Sequence, residues 1–259
     1  MNYPYLSSAA AGLALTWSLL SASSAFAVGA GIPFDVEEYD AGMLVNSFTA
    51  NSADFTYHAC VQFTMQGRFM ENGYFWLSSY QGPSKAKDSE INYFDTNGYK
   101  IYGIYKFSAA QFGAQQGTPT GNRLNYVVLP NSATIELYLD PNKDTKVSYD
   151  TNCVVSTTNN LDDTQIGFSN ALVEGEKSET DGIANGDFEL VFDQWNWVLP
   201  NPIVPNPNFN YQFLRFNANV TRLQGPLGND HEPEGSGNLF WRDNFSCIPI
   251  PGFDQICLH

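Results

Sequence analysis

Charge is scarce in this 259-residue chain: 15% of residues are charged, with 12 Lys or Arg against 27 Asp or Glu. The resulting formal charge of −15 rules against nucleic acid and anionic lipid as partners, since either needs a basic footprint. Histidine is scarcer still. His58, His231 and His259 make no metal-ligand spacing, and there is no Cys-x-x-Cys, so zinc has no framework. A Ser-His-Asp triad would have to use His58, beside a strand edge, or His231, in a loop; both read as solvated. Gly-x-Ser-x-Gly, His-Glu-x-x-His and Gly-x-x-x-x-Gly-Lys are all missing, so nothing announces a nucleophile elbow, a zinc protease or a phosphate loop. After Ala27 no stretch is apolar enough to span a bilayer.

The first 27 residues hold no charged side chain. An apolar run over 9–20 leads to Ala25-Phe26-Ala27, the small-x-small site of a secretory signal peptide. The expectation is a leader over 1–27 and a single secreted β domain over 28–259. The four cysteines, Cys60, Cys153, Cys247 and Cys257, then predict two disulfides, with three connectivities open. Acidity suits solubility, calcium or a hydrated polysaccharide matrix.

Aromatic residues also reach 15%, and Tyr, Phe, Asn, Gly and Thr dominate, as in extracellular β-structure. Over 55–69 the apolar residues fall at odd positions, the period of a strand with one buried face. Asn72-Gly73 and Asn97-Gly98 read as hairpin turns. Further strands are expected over 91–94, 99–107, 133–139, 188–197 and 211–220, the last two as core partners. Polar or Gly-rich loops are expected over 111–123, 152–163, 174–186 and 225–237. The Pro-rich 200–207 reads as a loop or a domain boundary. A short helix is allowed over 162–174, capped by Asp162 or Asp163. The fold class is all-β: an antiparallel β-sandwich or related two-sheet domain with at most one short helix.

Three sets of residues offer chemistry. Asp187, Glu189 and Asp193 alternate along one strand face that Trp195 and Trp197 extend. Paired carboxylates beside aromatic platforms are what a β-sandwich glycosidase uses, and the two tryptophans alone would suit a carbohydrate-binding module. The plain alternative buries Phe188, Leu190 and Phe192 and turns the acids to water. Asp140, Asn142 and Asp144, at i, i+2 and i+4, match the opening of a calcium loop, with Asp162 and Asp163 as further ligands. Thr145 and Thr151 stand where an EF-hand needs Gly and Glu, so a structural calcium site would be simpler than that; a turn built on Asx hydrogen bonds is the alternative. Asn219-Val220-Thr221 and Asn244-Phe245-Ser246 fit the glycosylation sequon.

The run Asn97-Gly98-Tyr99-Lys100-Ile101-Tyr102-Gly103-Ile104-Tyr105 resembles the Gly-Tyr…Tyr-x-Leu-Tyr strand of the secreted flocculation-associated PEP-CTERM proteins. Ile135 to Thr145, with Leu137-Tyr138-Leu139-Asp140-Pro141 and Asp144-Thr145, is similar to their Leu-Tyr-x-Asp-Pro…Asp-Thr element. Asp162-Asp163, Leu172-Val173-Glu174-Gly175 and the run from Gly186 to Phe192 follow in the family's order, so the likeness spans the middle half of the chain. It implies an exported bacterial β-protein that helps cells and exopolysaccharide cohere in flocs or biofilm, with no catalytic residue. The family's C-terminal sorting tail is absent: this sequence closes on Phe253-Asp254-Gln255-Ile256-Cys257-Leu258-His259. Release or non-covalent retention is therefore expected. The functional expectation is a non-enzymatic matrix or adhesion protein whose partners are extracellular polysaccharide or other matrix proteins. Self-assembly into a surface filament by strand addition is a further alternative.

Overall fold

Alternating apolar and polar residues become extended backbone nearly everywhere in the computed structural model. It describes residues 31–258, leaving out 41–42, 66, 83–85, 88, 90, 92–97, 112–115, 119–120, 181–185, 199–201, 205–212, 225–229, 243–245 and 251–252. Some strand residues, Asp187, Glu189 and Asp193 among them, are described by backbone alone. The chain opens with a hairpin, β1 (Phe34–Asp40) and β2 (Met43–Ala50). Two long strands follow, β3 (Ser52–Met65) and β4 (Arg68–Gln81), then the two-residue β5 (Ala86–Lys87) and the long β6 (Lys100–Gln111). Next come β7 (Gln116–Thr118), β8 (Gly121–Val128) and β9 (Thr134–Asp140). A small hairpin, β10 (Lys146–Tyr149) with β11 (Val155–Thr158), precedes β12 (Thr164–Ser169), β13 (Ala171–Thr180) and β14 (Gly186–Asp193). The short β15 (Asn196–Trp197) and β16 (Ile203–Val204) lead to β17 (Phe213–Gln224) and β18 (Asp230–Arg242). A last hairpin joins β19 (Ser246–Ile250) to β20 (Phe253–Leu258).

The named strands all pair antiparallel, and thirteen of them share one sheet. Its central path runs β6-β4-β3-β18-β17-β14-β13-β8. That path returns to its start, because the end of β6 also pairs with β8 through Ala109↔Val128 and Gln111↔Tyr126. The other half of β6 pairs with β9, so a wing of β9, β12 and β15 branches off the ring. β6 and β17 lie four strand spacings apart along the path, about 19 Å in a flat sheet. Yet the Tyr105 and Phe216 rings meet at 5.1 Å. The sheet therefore curls until its halves face each other in a sandwich-like arrangement.

The inner face is the core. β3 supplies Phe55, Tyr57, Ala59 and Val61, β4 supplies Phe69, Phe75 and Leu77, and β17 and β18 add Leu214, Phe216, Leu239 and Trp241. Two glycines make room for this aromatic density. Gly73 lies opposite Tyr105 and Gly103 opposite Phe75. A Cβ on Gly73 would come within 2.4 Å of the Tyr105 ring, and one on Gly103 within 2.0 Å of Phe75. The Asn72-Gly73 pair is therefore no turn: it sits inside β4, and the hairpin closes at Gly67, whose φ is +70°. Beside this layer Glu71 is fully buried and accepts a 2.9 Å hydrogen bond from the Tyr105 hydroxyl.

β1, β2 and β16 form a separate three-stranded sheet over one end of the core. Phe34 packs edge-on against Tyr80 and Trp241. Of the Pro-rich segment, Pro202, Ile203 and Val204 run alongside β1: Asp35 pairs with Val204, and the Glu37 N–H donates to Pro202 O. Buried Glu38 accepts from Tyr99, Asn46 and Ser89 on the inner side of this sheet. The helix allowed over 162–174 is replaced by β12 and the start of β13, and no helix occurs among the described residues. Pairing to β9 satisfies the β12 backbone, and Ile166 is buried, which a lone helical turn would not achieve. The polar stretches 174–186 and 225–237 also enter strands, through β13, β14 and β18.

Candidate functional site

The outer face of β4, β6 and β9 carries what the inner face excludes. Alternation sends Phe75, Ile101 and Leu137 inward, so Trp76, Tyr102 and Tyr138 point outward. The registers align them across five strands as Thr56, Trp76, Tyr102, Tyr138 and Gln165. A neighbouring row reads His58, Tyr74, Ile104, Glu136 and Phe168. The Trp76 and Tyr102 rings lie 5.6 Å apart, Tyr102 and Tyr138 stack at 5.2 Å, and His58 stacks on Tyr74 at 5.3 Å. All of these rings are half-buried except buried Tyr102 and exposed Phe168.

Polar groups are interleaved with the rings. The Lys100 ammonium sits 5.0 Å from the Trp76 ring centre, a cation–π contact. Tyr138 donates to Glu136, and Gln165 Nε2 reaches the Tyr138 hydroxyl. Tyr102 donates to Asp163 Oδ2 at 2.7 Å. Burial, and then these carboxylate acceptors, raise the pKa values of Tyr102 and Tyr138, so both hydroxyls keep their protons. The surface can therefore offer ring faces with fixed donors and acceptors between them. That combination suits a polyhydroxylated ligand with apolar C–H faces.

The connection from β9 to β12, residues 141–163, folds back as a flap over one side of this surface. The Cys60–Cys153 disulfide ties it to β3. Tyr149 meets Tyr74, and Lys100 Nζ donates to Lys143 O. Asp150 shapes the turn before Cys153: its carboxylate accepts the N–H groups of Val154 and Asn152, which lower its pKa. The sequence left the cysteine pairing open, and the register now also sets Cys247 directly opposite Cys257 across β19 and β20. Their side chains lie outside the described ones.

Asp140, Asn142 and Asp144 begin this flap. Asp140 is buried and its two oxygens accept the N–H groups of Lys143 and Thr145. Burial raises its pKa against these two hydrogen bonds. Asn142 accepts the Asp144 N–H, so the segment is built as an Asx turn. Asp163 stands close enough to raise the Asp140 pKa further, and it binds Thr145 Oγ1 at 2.8 Å. Among the described residues no three His, Cys, Asp or Glu side chains converge.

Asp187 and Glu189 occupy β14, with backbone partners Asn219 and Asn217 on β17; their side chains, and that of Asp193, lie outside the described ones. The shared face expected of Asp193, Trp195 and Trp197 ends at Gln194, whose φ of 55° breaks the strand. Trp195 is then only 6% exposed. It packs against Trp197, Trp241 and the bare backbone of Gly167. It is a core residue, not an open sugar platform, and Trp197 is half-buried in the same cluster. Sequence reading missed the Trp76 row because β4 is aromatic on both faces: Tyr74-Phe75-Trp76 does not say which rings face out. The one available signal was that Trp76, Tyr102 and Tyr138 occupy alternate-face positions in three strands destined to be neighbours. Comparison with protein-family models, curated proteins and solved structures finds no match to this chain.

Proposed function

We propose that this protein is a non-enzymatic, extracellular matrix or adhesion protein that holds polysaccharide on the aromatic face of β4, β6 and β9. The observation that carries the reading is the pair of half-buried rings Trp76 and Tyr138, set on either side of buried Tyr102 and flanked by Thr56, Gln165, Lys100 and Glu136. Rings stack on sugar C–H faces while the flanking groups hydrogen-bond to hydroxyls. A disulfide buried between β3 and the flap fits an oxidising compartment, in keeping with the leader and the family resemblance. The net charge of −15 keeps such a protein hydrated within a polymer matrix.

The test is a glycan array followed by titration with the best oligosaccharide. Trp76→Ala and Tyr138→Ala should each weaken binding about tenfold, the equivalent of about 1.4 kcal/mol, with the circular-dichroism spectrum unchanged. Full-strength binding by both folded variants would refute this surface. Release of reducing ends, stopped by Glu189→Gln, would instead make the protein a glycosidase.

A further inference from the structure

We infer that Cys247 and Cys257 form a second disulfide, one that a dithiol can open and re-form while the thirteen-stranded sheet stays folded. β19 and β20 set these two residues directly opposite each other. Opposed residues of an antiparallel pair lie about 4.5 or 5.5 Å apart at Cα, and a disulfide accepts about 4.4–6.8 Å. Cys60 and Cys153, already joined, are 5.3 Å apart. The hairpin needs such a bond. Among the described residues β19 and β20 pair only with each other, in a two-stranded sheet. A lone two-stranded hairpin is marginal in water, since no third strand shares its ladder. Pro249, inside β19, has no N–H to donate, and the register shifts between Ile248 and Ile250. A covalent bond across the ladder offsets these losses by shrinking the unfolded ensemble of the ring 247–257.

The same isolation makes the bond reversible. Cys60 is 6% exposed and Cys153 1%, so an attacking thiolate reaches their bond only when the flap opens. Opening β19 from β20 breaks no ladder of the two larger sheets. The bond forms by exchange: one cysteine thiolate attacks a donor disulfide, the other displaces the mixed disulfide, and the donor leaves as a dithiol. Two electrons pass to the donor, and the two cysteines give up two protons. The reverse exchange with a dithiol restores both thiols. Polysaccharide binding does not depend on this bond: two free thiols here would leave the aromatic face intact.

The experiment is disulfide mapping of the exported, unreduced chain by mass spectrometry. The tryptic peptide 243–259 should be lighter by two hydrogens than its reduced form, and after chymotryptic cleavage at Phe253 its halves should stay joined until reduced. Dithiothreitol under native conditions, followed by alkylation, should label Cys247 and Cys257 before Cys60 and Cys153, with the circular-dichroism spectrum unchanged. Amide exchange should quicken over 246–258 alone. Cys247→Ser/Cys257→Ser should keep the wild-type melting temperature within about 2 °C, in contrast to loss of Cys60 and Cys153. Free thiols at 247 and 257, a bond from either to Cys60, Cys153 or a second chain, label entering Cys60 first, or a spectrum that collapses with the label would each overturn the inference.

Discussion

Replacing Cys60 and Cys153 together by alanine should remove more stability than any single core truncation in the flap. The bond spans 93 residues and joins β3 to the turn ahead of β11. For a loop of that size the chain-entropy model assigns the cross-link about 4.6 kcal/mol, acting through the unfolded state. At about 2–4 °C per kcal/mol for a domain of this length, the melting temperature should drop by about 9–18 °C. The m-value should rise, since the uncross-linked chain expands further on unfolding. Urea titration followed by tryptophan fluorescence reads both. Without the cross-link the flap is held by non-covalent contacts such as the Tyr102–Asp163 and Lys100–Lys143 hydrogen bonds, which open locally, and its proteolysis should quicken before global unfolding. A loss below about 1 kcal/mol would refute the cross-link's role. So would a thiol assay showing both cysteines reduced in the native protein.

Gly103→Ala should cost about 1–3 kcal/mol by driving a methyl into the buried Phe75 ring, and Phe75→Leu in the same chain should recover part of it in a double-mutant cycle. Burial holds the pKa values of Tyr80, Tyr99 and Tyr105 above their usual 10.0. Their effect on stability is therefore flat below pH 10; above it the unfolded chain loses protons that the fold retains, and stability falls by about 1.4 kcal/mol per pH unit for each. Absorbance at 295 nm should show their ionisation only as the circular dichroism collapses, and reversible phenolate formation by Tyr80, Tyr99 and Tyr105 in a folded protein would contradict this. Because the Asp140 oxygens already accept two backbone N–H groups, a chelator should leave the melting temperature within about 1 °C. A larger drop, restored by calcium, would reinstate a structural cation at the flap.

Much of the fold was legible where one face is apolar and the other polar. The period of two over 55–65 became β3, although the span read as one strand to 69 crosses the turn at Gly67 into β4, and the pairing of 188–197 with 211–220 became β14 against β17 through Leu190 and Phe216. Legibility failed where a residue answers to a distant neighbour. Asn72-Gly73 has the chemistry of a turn, yet Gly73 is there because a Tyr105 ring from another strand covers it. The polar residues at the start of β18 belong to a strand because β3 and β17 satisfy their backbone on both sides. Of the site, the cysteines and the Asp140 turn were visible as local patterns. The Trp76 row was not, since it exists only once β4, β6 and β9 are in register. Trp195 was misplaced for a similar reason: one left-handed residue, Gln194, rotates it from the surface into the core.

The seam between β3 and β18 has a consequence for how the molecule comes into being. Thr56 is among the first strand residues synthesised, and its partner Ser236 is among the last. Until then the aromatic flank of β3 has no neighbour on that side, however well β3 and β4 have zipped together. Such remote pairing makes assembly slow, and it leaves a sticky ribbon waiting for nearly the whole length of translation. A cell making this protein must shield that ribbon or delay its collapse, and a chain cut short before β18 would be a nucleus for aggregates.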